Sequence, residues 1–382
     1  MKNILHVTNI YFTLPYFIGD QFIYFNNKGN NLHVICSPSI LLSDYADKMK
    51  FNYSEVNILR AIRPIKDLIA IFKICRYIKV SKIDIVVGHT PKGGLLAMLS
   101  AYLLRVPKRI YFRHGLVYET STGFKRKLLV TLDRITAFCA TDIVCVSPSV
   151  YKRSLVDKLN RADKQLILGK GTCTGIDIIK VFNPFQINLQ KSQELRTKLE
   201  LGKDSIVIGY CGRLVCDKGI VQLIQAFDLV KESNPGNDFR LLLVGMFEQR
   251  DSLPIDIVNQ IQKDKDIIIT GFINENIEYY YALMNVYVLP SFREGFPTSV
   301  LEASSMQIPI LTTRVTGCID SIIEDVTGIF VENSSISIAN GIEYYLNHPS
   351  IANEHGRNGR DFVTKYFDQE IIWSEIEKLY EK

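Results

Sequence analysis

A chain of 382 residues exceeds one ordinary domain and suits two of about 150–200 residues, each long enough to bury a core. With 47% hydrophobic and 22% charged residues and no low-complexity stretch, its composition excludes a disordered chain. The net charge of +5 is divided: residues 1–180 carry 27 Lys and Arg against 12 Asp and Glu, a surplus of 15, and the remainder carries 18 against 28, a deficit of 10.

From the start, Met1-Lys2-Asn3-Ile4-Leu5-His6-Val7 is a short apolar run with no small-residue cleavage site after it, so it reads as a first strand and not a signal peptide. Strand-like runs follow over residues 32–36, 55–59, 83–88, 109–114, 143–147 and 165–168, with helical segments over 64–80, 93–104 and 124–138. This alternation predicts a mainly parallel sheet covered by helices on both faces. Even the apolar stretch 128–146 is broken by Asp133, Arg134 and Asp142, which argues against a membrane-spanning helix. Residues 187–203 are mostly polar and read as a linker between a first domain over 1–186 and a second over 204–365. The pattern then restarts, with strands over 206–211, 240–244, 267–270, 286–290, 310–313 and 328–331 and helices over 221–232, 254–263, 276–284 and 298–306. The end, 366–382, carries Ile372, Ile376, Leu379 and Tyr380 on one helical face and is expected to pack back on the first domain. The predicted fold class is α/β, two Rossmann-like domains with mainly parallel sheets. None of the eight cysteines forms a C-x-x-C pair, which implies reduced, mostly buried thiols in a cytoplasmic protein.

Two stretches carry chemistry. In Pro290-Ser291-Phe292-Arg293-Glu294-Gly295-Phe296-Pro297-Thr298-Ser299-Val300-Leu301-Glu302-Ala303 a strand ends, a tight loop turns, and a helix starts with proline in its first turn. The free amides of Thr298 and Ser299 make an anion site suited to a diphosphate, flanked by Glu294 and Glu302. The plainer alternative is that both carboxylates only complement the helix dipole. In Gly209-Tyr210-Cys211-Gly212-Arg213-Leu214-Val215-Cys216-Asp217-Lys218-Gly219 a buried strand ends in glycine, and Arg213 and Lys218 lie in the loop that follows. Ligands of open α/β sheets bind outside the carboxyl ends of strands, so these cations lie where a diphosphate would.

Together, G-R-x4-K-G and the later E-G-F-P-x3-L-E resemble the retaining glycosyltransferases of family four, whose two-domain architecture is the GT-B fold, as in bacterial polysaccharide-assembly transferases. Leu241 to Gly245, Thr270-Gly271-Phe272 and Thr316 to Asp320 match the same rhythm. The resemblance implies that Arg213 and Lys218 bind a donor diphosphate. It implies also that Glu302 holds the ribose, Glu294 the transferred sugar, and that Gly271 and Phe272 lie beside the base; Gly295, Phe296, Pro297, Thr298 and Ser299 complete the donor site. Tyr111-Phe112-Arg113-His114-Gly115 resembles the family's His-Gly element, which puts His114 at the donor sugar. His89-Thr90-Pro91-Lys92-Gly93-Gly94 resembles a loop of transferases with lipid-diphosphate acceptors, and implies acceptor contacts from His89, Lys92 and Gly93. The first loop departs from the family: where many members have a Gly-Gly pair, this chain has Thr8 to Pro15, and Gly19 comes late.

The implied activity is transfer of a hexose-type unit from a nucleoside diphosphate sugar, UDP-linked, to a glycan on a lipid diphosphate. Asp264-Lys265-Asp266 resembles a D-x-D metal motif, but it precedes its strand and reads as a solvated turn, so neither a metal nor another cofactor is expected. A dehydrogenase is disfavoured, since no G-x-G-x-x-G follows the first strand. A nucleotide-sugar epimerase and an inactive sugar-nucleotide-binding module are the alternatives. The basic first half has no nucleic-acid-binding motif; it suits a phosphorylated substrate or a peripheral position on the inner face of an anionic plasma membrane, through Lys125-Arg126-Lys127 and the mixed apolar and basic stretch 60–82, and the plainer alternative is a core-facing helix whose charges only face water.

Overall fold

The structure, a computed structural model, describes residues 1–249 and 251–382. These form two compact units, Met1–Gly175 with Glu370–Lys382, and Ile176–Gln369.

The first unit is built on seven strands: β1 (Asn3–Val7), β2 (Asn31–Cys36), β3 (Asn52–Glu55), β4 (Ile85–Gly88), β5 (Lys108–Arg113), β6 (Asp142–Cys145) and β7 (Gln165–Leu166). Every pairing is parallel, in the order β3-β2-β1-β4-β5-β6-β7. Strand β4 is buried along its whole length, the composition expected of a sheet covered on both faces. The third strand lies earlier than the apolar run 55–59 suggests. As an edge strand it pairs through the mostly exposed Asn52–Glu55, and just beyond it the Val56 and Ile58 side chains enter the core. The C-terminal helix Gln369–Glu381 belongs to this unit and buries Ile372, Trp373 and Tyr380. Trp373 packs on Tyr24 and Tyr380 on Phe25, with ring centroids 5.2 and 5.1 Å apart, and the Tyr24 hydroxyl donates to Glu377 at 3.1 Å.

The second unit has β8 (Ile206–Cys211), β9 (Phe239–Val244), β10 (Ile267–Gly271), β11 (Val286–Leu289), β12 (Ile310–Thr313) and β13 (Gly328–Val331). All are parallel, in the order β10-β9-β8-β11-β12-β13. The polar stretch 187–203 is not merely a connection: Leu189–Lys198 is a helix, capped by the Asn188 side chain, within this unit.

In each sheet the strand order reverses once, between β1 and β4 and between β8 and β11. Crossover helices diverge at such a point and leave the carboxyl edge open to a ligand.

At the end of β5 the Arg113 side chain is fully buried. Its guanidinium donates to Asp133 at 2.6 Å and to Asn160 at 2.8 Å, and so ties β5 to the helix Gly123–Cys139. Removing one partner of a buried pair strands a charge, which costs about 3–5 kcal/mol. Asp133→Ala should therefore lower the unfolding free energy by about that amount in a urea titration, and a loss below about 1 kcal/mol would show that Asp133 does not hold the guanidinium.

Candidate functional site

The switch point of the second unit brings the two sequence motifs together. After β8, Tyr210 donates its hydroxyl proton to the Arg213 carbonyl at 2.8 Å, which fixes the start of the loop. At the loop's end Lys218 forms an ion pair with Glu294, both side chains largely buried. Gly219 makes that approach possible. Its φ is +72°, and a Cβ there would lie 2.0 Å from the Pro290 carbonyl oxygen at the end of β11. The loops are joined again where Phe292 N–H donates to the Asp217 carbonyl at 2.9 Å and Arg293 pairs with Asp217 at 3.0 Å. Ser291 donates to the same Glu294 oxygen at 2.8 Å. From the far side the Gly317 backbone supports the loop, with a built Cβ only 2.5 Å from the Gly295 carbonyl oxygen.

The helix Thr298–Ser305 starts at Pro297 with no side-chain cap, so the amides of Thr298 and Ser299 remain available to an anion. Glu302 lies one turn further on, on the same face as Thr298, and accepts a 2.6 Å bond from the Tyr281 hydroxyl. Burial pushes its carboxyl up to about 7, against the lowering effect of the Tyr281 bond. Arg213 is less constrained: it pairs with Glu248 and is 41% exposed.

Other expected donor residues lie apart from this cluster. Phe296 turns its ring onto Phe367, 5.3 Å away, and so packs in the core. Gly271 and Phe272 close β10, two strands along the same edge from β8, with Gly271 at φ +71° and Phe272 40% exposed. Asp264 and Asp266 precede β10 and both bond Lys231, at 3.2 and 2.6 Å.

In the first unit, the expected acceptor groups are engaged within the fold. The His89 ring is buried between His6 and His114, Lys92 pairs with Asp67, and the Gly93 amide donates to Thr90 at 3.2 Å as the helix Pro91–Leu103 begins. His114, just past β5, is half-buried, and Phe17, at the end of the short helix Thr13–Phe17, stacks on its ring with centroids 3.7 Å apart.

Comparison with known proteins decides the family. Residues 191–362 match the model described as glycosyl transferases group 1, and residues 5–146 match glycosyl transferase 4-like. A Staphylococcus aureus protein named capsular polysaccharide biosynthesis glycosyltransferase CapM is 33% identical over 383 residues, covering 100% of this chain and 97% of that one. The chain belongs to the group 1 glycosyltransferases.

Another relative of this transferase, UDP-Gal:alpha-D-GlcNAc-diphosphoundecaprenol alpha-1,3-galactosyltransferase from Escherichia coli, is 25% identical over 363 residues, 93% of this chain and 89% of that one. Among solved structures, Anabaena HepE in complex with UDP and glucose shares the fold, with a TM-score of 0.81, 17% identity and full coverage of both chains. The GT-B architecture expected from the two motifs is thereby shown.

Several groups of the two candidate edges carry no mark in the sequence. Tyr281 lies in a short helix and meets Glu302 only through the fold. Asp217, Arg293 and Ser291 stand within the quoted motifs, but nothing in their spacing reveals that they bind one another. His6 reads as one more residue of a buried strand.

Glu302 gives a prediction with a definite sign. Its folded-state carboxyl, at about 7 against an ordinary 4.5, binds a proton more tightly than the unfolded chain does. Stability from that proton is present below the ordinary value and is lost as pH rises through about 7. Glu302→Gln keeps a neutral partner for Tyr281, so it should raise stability at pH 8 by about 1–3 kcal/mol and flatten the pH dependence between 4.5 and 7. Denaturant unfolding at pH 5 and pH 8 measures this; equal stabilities of the two proteins at pH 8 would refute the buried-carboxylate reading.

Proposed function

We propose that this transferase moves a hexose-type sugar from a UDP-linked donor to a glycan carried on a lipid diphosphate, with retention at the anomeric carbon, in surface polysaccharide assembly. The observation that carries the reading is the cluster at the β8–β11 switch point: Lys218 against Glu294, and the uncapped helix start at Thr298 one turn before Glu302. A departing diphosphate needs cations and amide donors where its charge develops, and fixed donors of this kind are worth about 2.7–4 kcal/mol each in a water-poor site. Arg213, Lys218 and the Thr298 and Ser299 amides fill that role. Glu302 accepts from the ribose hydroxyls and Glu294 from the transferred sugar; the role implied for His114 toward that sugar belongs to the same reading. The anomeric carbon–oxygen bond to the diphosphate breaks and one to the acceptor forms on the same face. The acceptor hydroxyl gives its proton to the leaving phosphate oxygen. The two named relatives, one of capsular polysaccharide biosynthesis and one acting on a diphosphoundecaprenol-linked sugar, support the acceptor class.

Nucleotide sugars would be screened for binding, and the best donor tested on short lipid-diphosphate glycans. Lys218→Ala is expected to lower kcat about 100-fold or more with the fold retained, and turnover is expected to persist in EDTA. Near-normal rates in Lys218→Ala would overturn the site; loss in EDTA restored by magnesium or manganese would overturn the metal-independent charge balance.

The same reading places the first unit on an anionic membrane surface. The helix Pro64–Val80 buries Ala70, Ile74 and Ile78 but leaves Ile65, Leu68, Ile69 and Phe72 exposed, Ile65 at 77%, with Lys66, Lys73 and Arg76 exposed among them. An exposed apolar stripe rimmed by cations matches a headgroup layer, where each cation contributes about 1 kcal/mol. No helix among the described residues is long and apolar enough to cross a membrane. Phosphatidylglycerol vesicles should therefore co-sediment the protein at low salt and release it at high salt, and Leu68→Glu with Phe72→Glu should abolish the binding. Equal, negligible binding to anionic and phosphatidylcholine vesicles would refute the docking.

A further inference from the structure

Three histidines from three separate segments form one hydrogen-bonded row at the β1–β4 switch point. His6 Nδ1 lies 3.0 Å from His89 Nε2, and His89 Nδ1 lies 3.0 Å from His114 Nε2. His6 is on β1, His89 follows β4 and His114 follows β5, so the row runs across the sheet's carboxyl edge. The rings stack with their surroundings: His6 and His89 face each other at 5.3 Å, Phe112 lies 5.2 Å from His89, and Phe22 meets His6 edge-on at 5.7 Å. The row ends inside the protein, since His6 Nε2 is buried and has no hydrogen-bond partner among the described residues.

That dead end gives the row a direction. A neutral imidazole carries one N–H and one bare nitrogen, so each ring in the row fixes the next. If His6 bore its proton on Nε2, a buried N–H would have no acceptor, the rarer and costlier arrangement. With the proton on Nδ1, His6 donates to His89 Nε2, His89 donates from Nδ1 to His114 Nε2, and the proton of His114 must be on Nδ1.

We propose that His6 and His89 are positioning residues that lock His114 as the Nδ1–H tautomer, so that it presents a hydrogen-bond donor to a hydroxyl of the donor sugar. The catalytic part of this rests on the proposed role of His114; the tautomer assignment does not. The row is not a proton wire, because its inner end has no outlet. Burial also favours the neutral rings: it holds His6 and His114 down to about 3 and His89 well below its ordinary value, with repulsion from its two neighbours adding to the effect on His89. The side chains packed on the row are the aromatic Phe17, Phe22 and Phe112, and no charged side chain among the described residues bonds the three rings.

The test uses the full chain labelled with 15N-histidine. Two-bond proton–nitrogen correlations at pH 7.5 should show all three rings neutral, with the His114 proton on Nδ1; a proton on His114 Nε2 would overturn the proposal whatever the activity. His89→Leu removes the donor to His114 and should lower kcat about tenfold or more at unchanged donor KM. In this variant the same spectra should show His114 divided between its two tautomers, since nothing then donates to its Nε2. His89→Asn, whose amide can occupy the place of Nδ1–H, should restore most of kcat and the single His114 tautomer. A His89→Leu enzyme with wild-type kcat and an unchanged His114 tautomer would overturn the positioning role. If His114→Ala keeps full activity, the proposed contact with the sugar falls, and the NMR result still decides the tautomer.

Discussion

Two sheets, each entirely parallel and each reversing its strand order once, set nearly everything else in this transferase. A parallel sheet turns all its carboxyl ends, and the loops leading into its helices, to one edge. At the reversal the neighbouring crossovers diverge, and residues distant in sequence meet. Lys218 and Glu294 are 76 positions apart and His6 and His89 are 83 apart, yet each pair is in contact. Gly219 and Gly317 serve the same constraint, since a side chain at either would push the loops of the β8–β11 edge apart.

The two edges use different physics. In the second unit charge is balanced in place: Lys218 with Glu294, Arg293 with Asp217, Arg213 with Glu248, and an uncapped helix start among them. Such a site holds its cations ready while their charge is offset inside the chain. In the first unit the pairs Lys92–Asp67 and Arg113–Asp133 stand beside the imidazoles, but no charged side chain among the described residues bonds the three rings. Three neutral rings stack among aromatic side chains, and order there comes from hydrogen-bond direction.

The charge division also acquires a physical form. The basic stretch 60–82 becomes a helix whose buried side is small, Ala70, Ile74 and Ile78, and whose larger apolar residues face outward. A helix with core-facing apolar residues and cations turned to water would have the same composition and nearly the same periodicity. Only the packing of its neighbours tells the two apart.

Much of this was legible in the sequence because parallel strands buried on both faces are continuous apolar runs. Twelve of the thirteen strands among the described residues were marked by such runs, and the run 55–59 falls just past β3 because the residues that pair there are the polar ones at an exposed edge. The motif spacing singled out Arg213, Lys218, Glu294 and Glu302, and the structure gathers them at the carboxyl edge of one sheet. Helices that depend on tertiary contacts were not legible. Pro349–Tyr366 contains Gly356 and Gly359, poor helix formers that are there because the helix lies against Gln307 and Ser304, with a Cβ at Gly356 only 2.1 Å from the Gln307 carbonyl oxygen. The partners of the site side chains were hidden for a related reason. Tyr281 beside Glu302, and His89 turned inward to His6 instead of outward, follow from which strands are neighbours, and neighbourhood in a doubly wound sheet is set by the order of crossovers, which local periodicity does not record. The sequence by itself determined nearly all the strands, the glycine-bearing loops with their cations and carboxylates, and the charge each half carries; the tertiary structure decided which of those groups face one another, because contact across a switch point depends on the path of the whole chain.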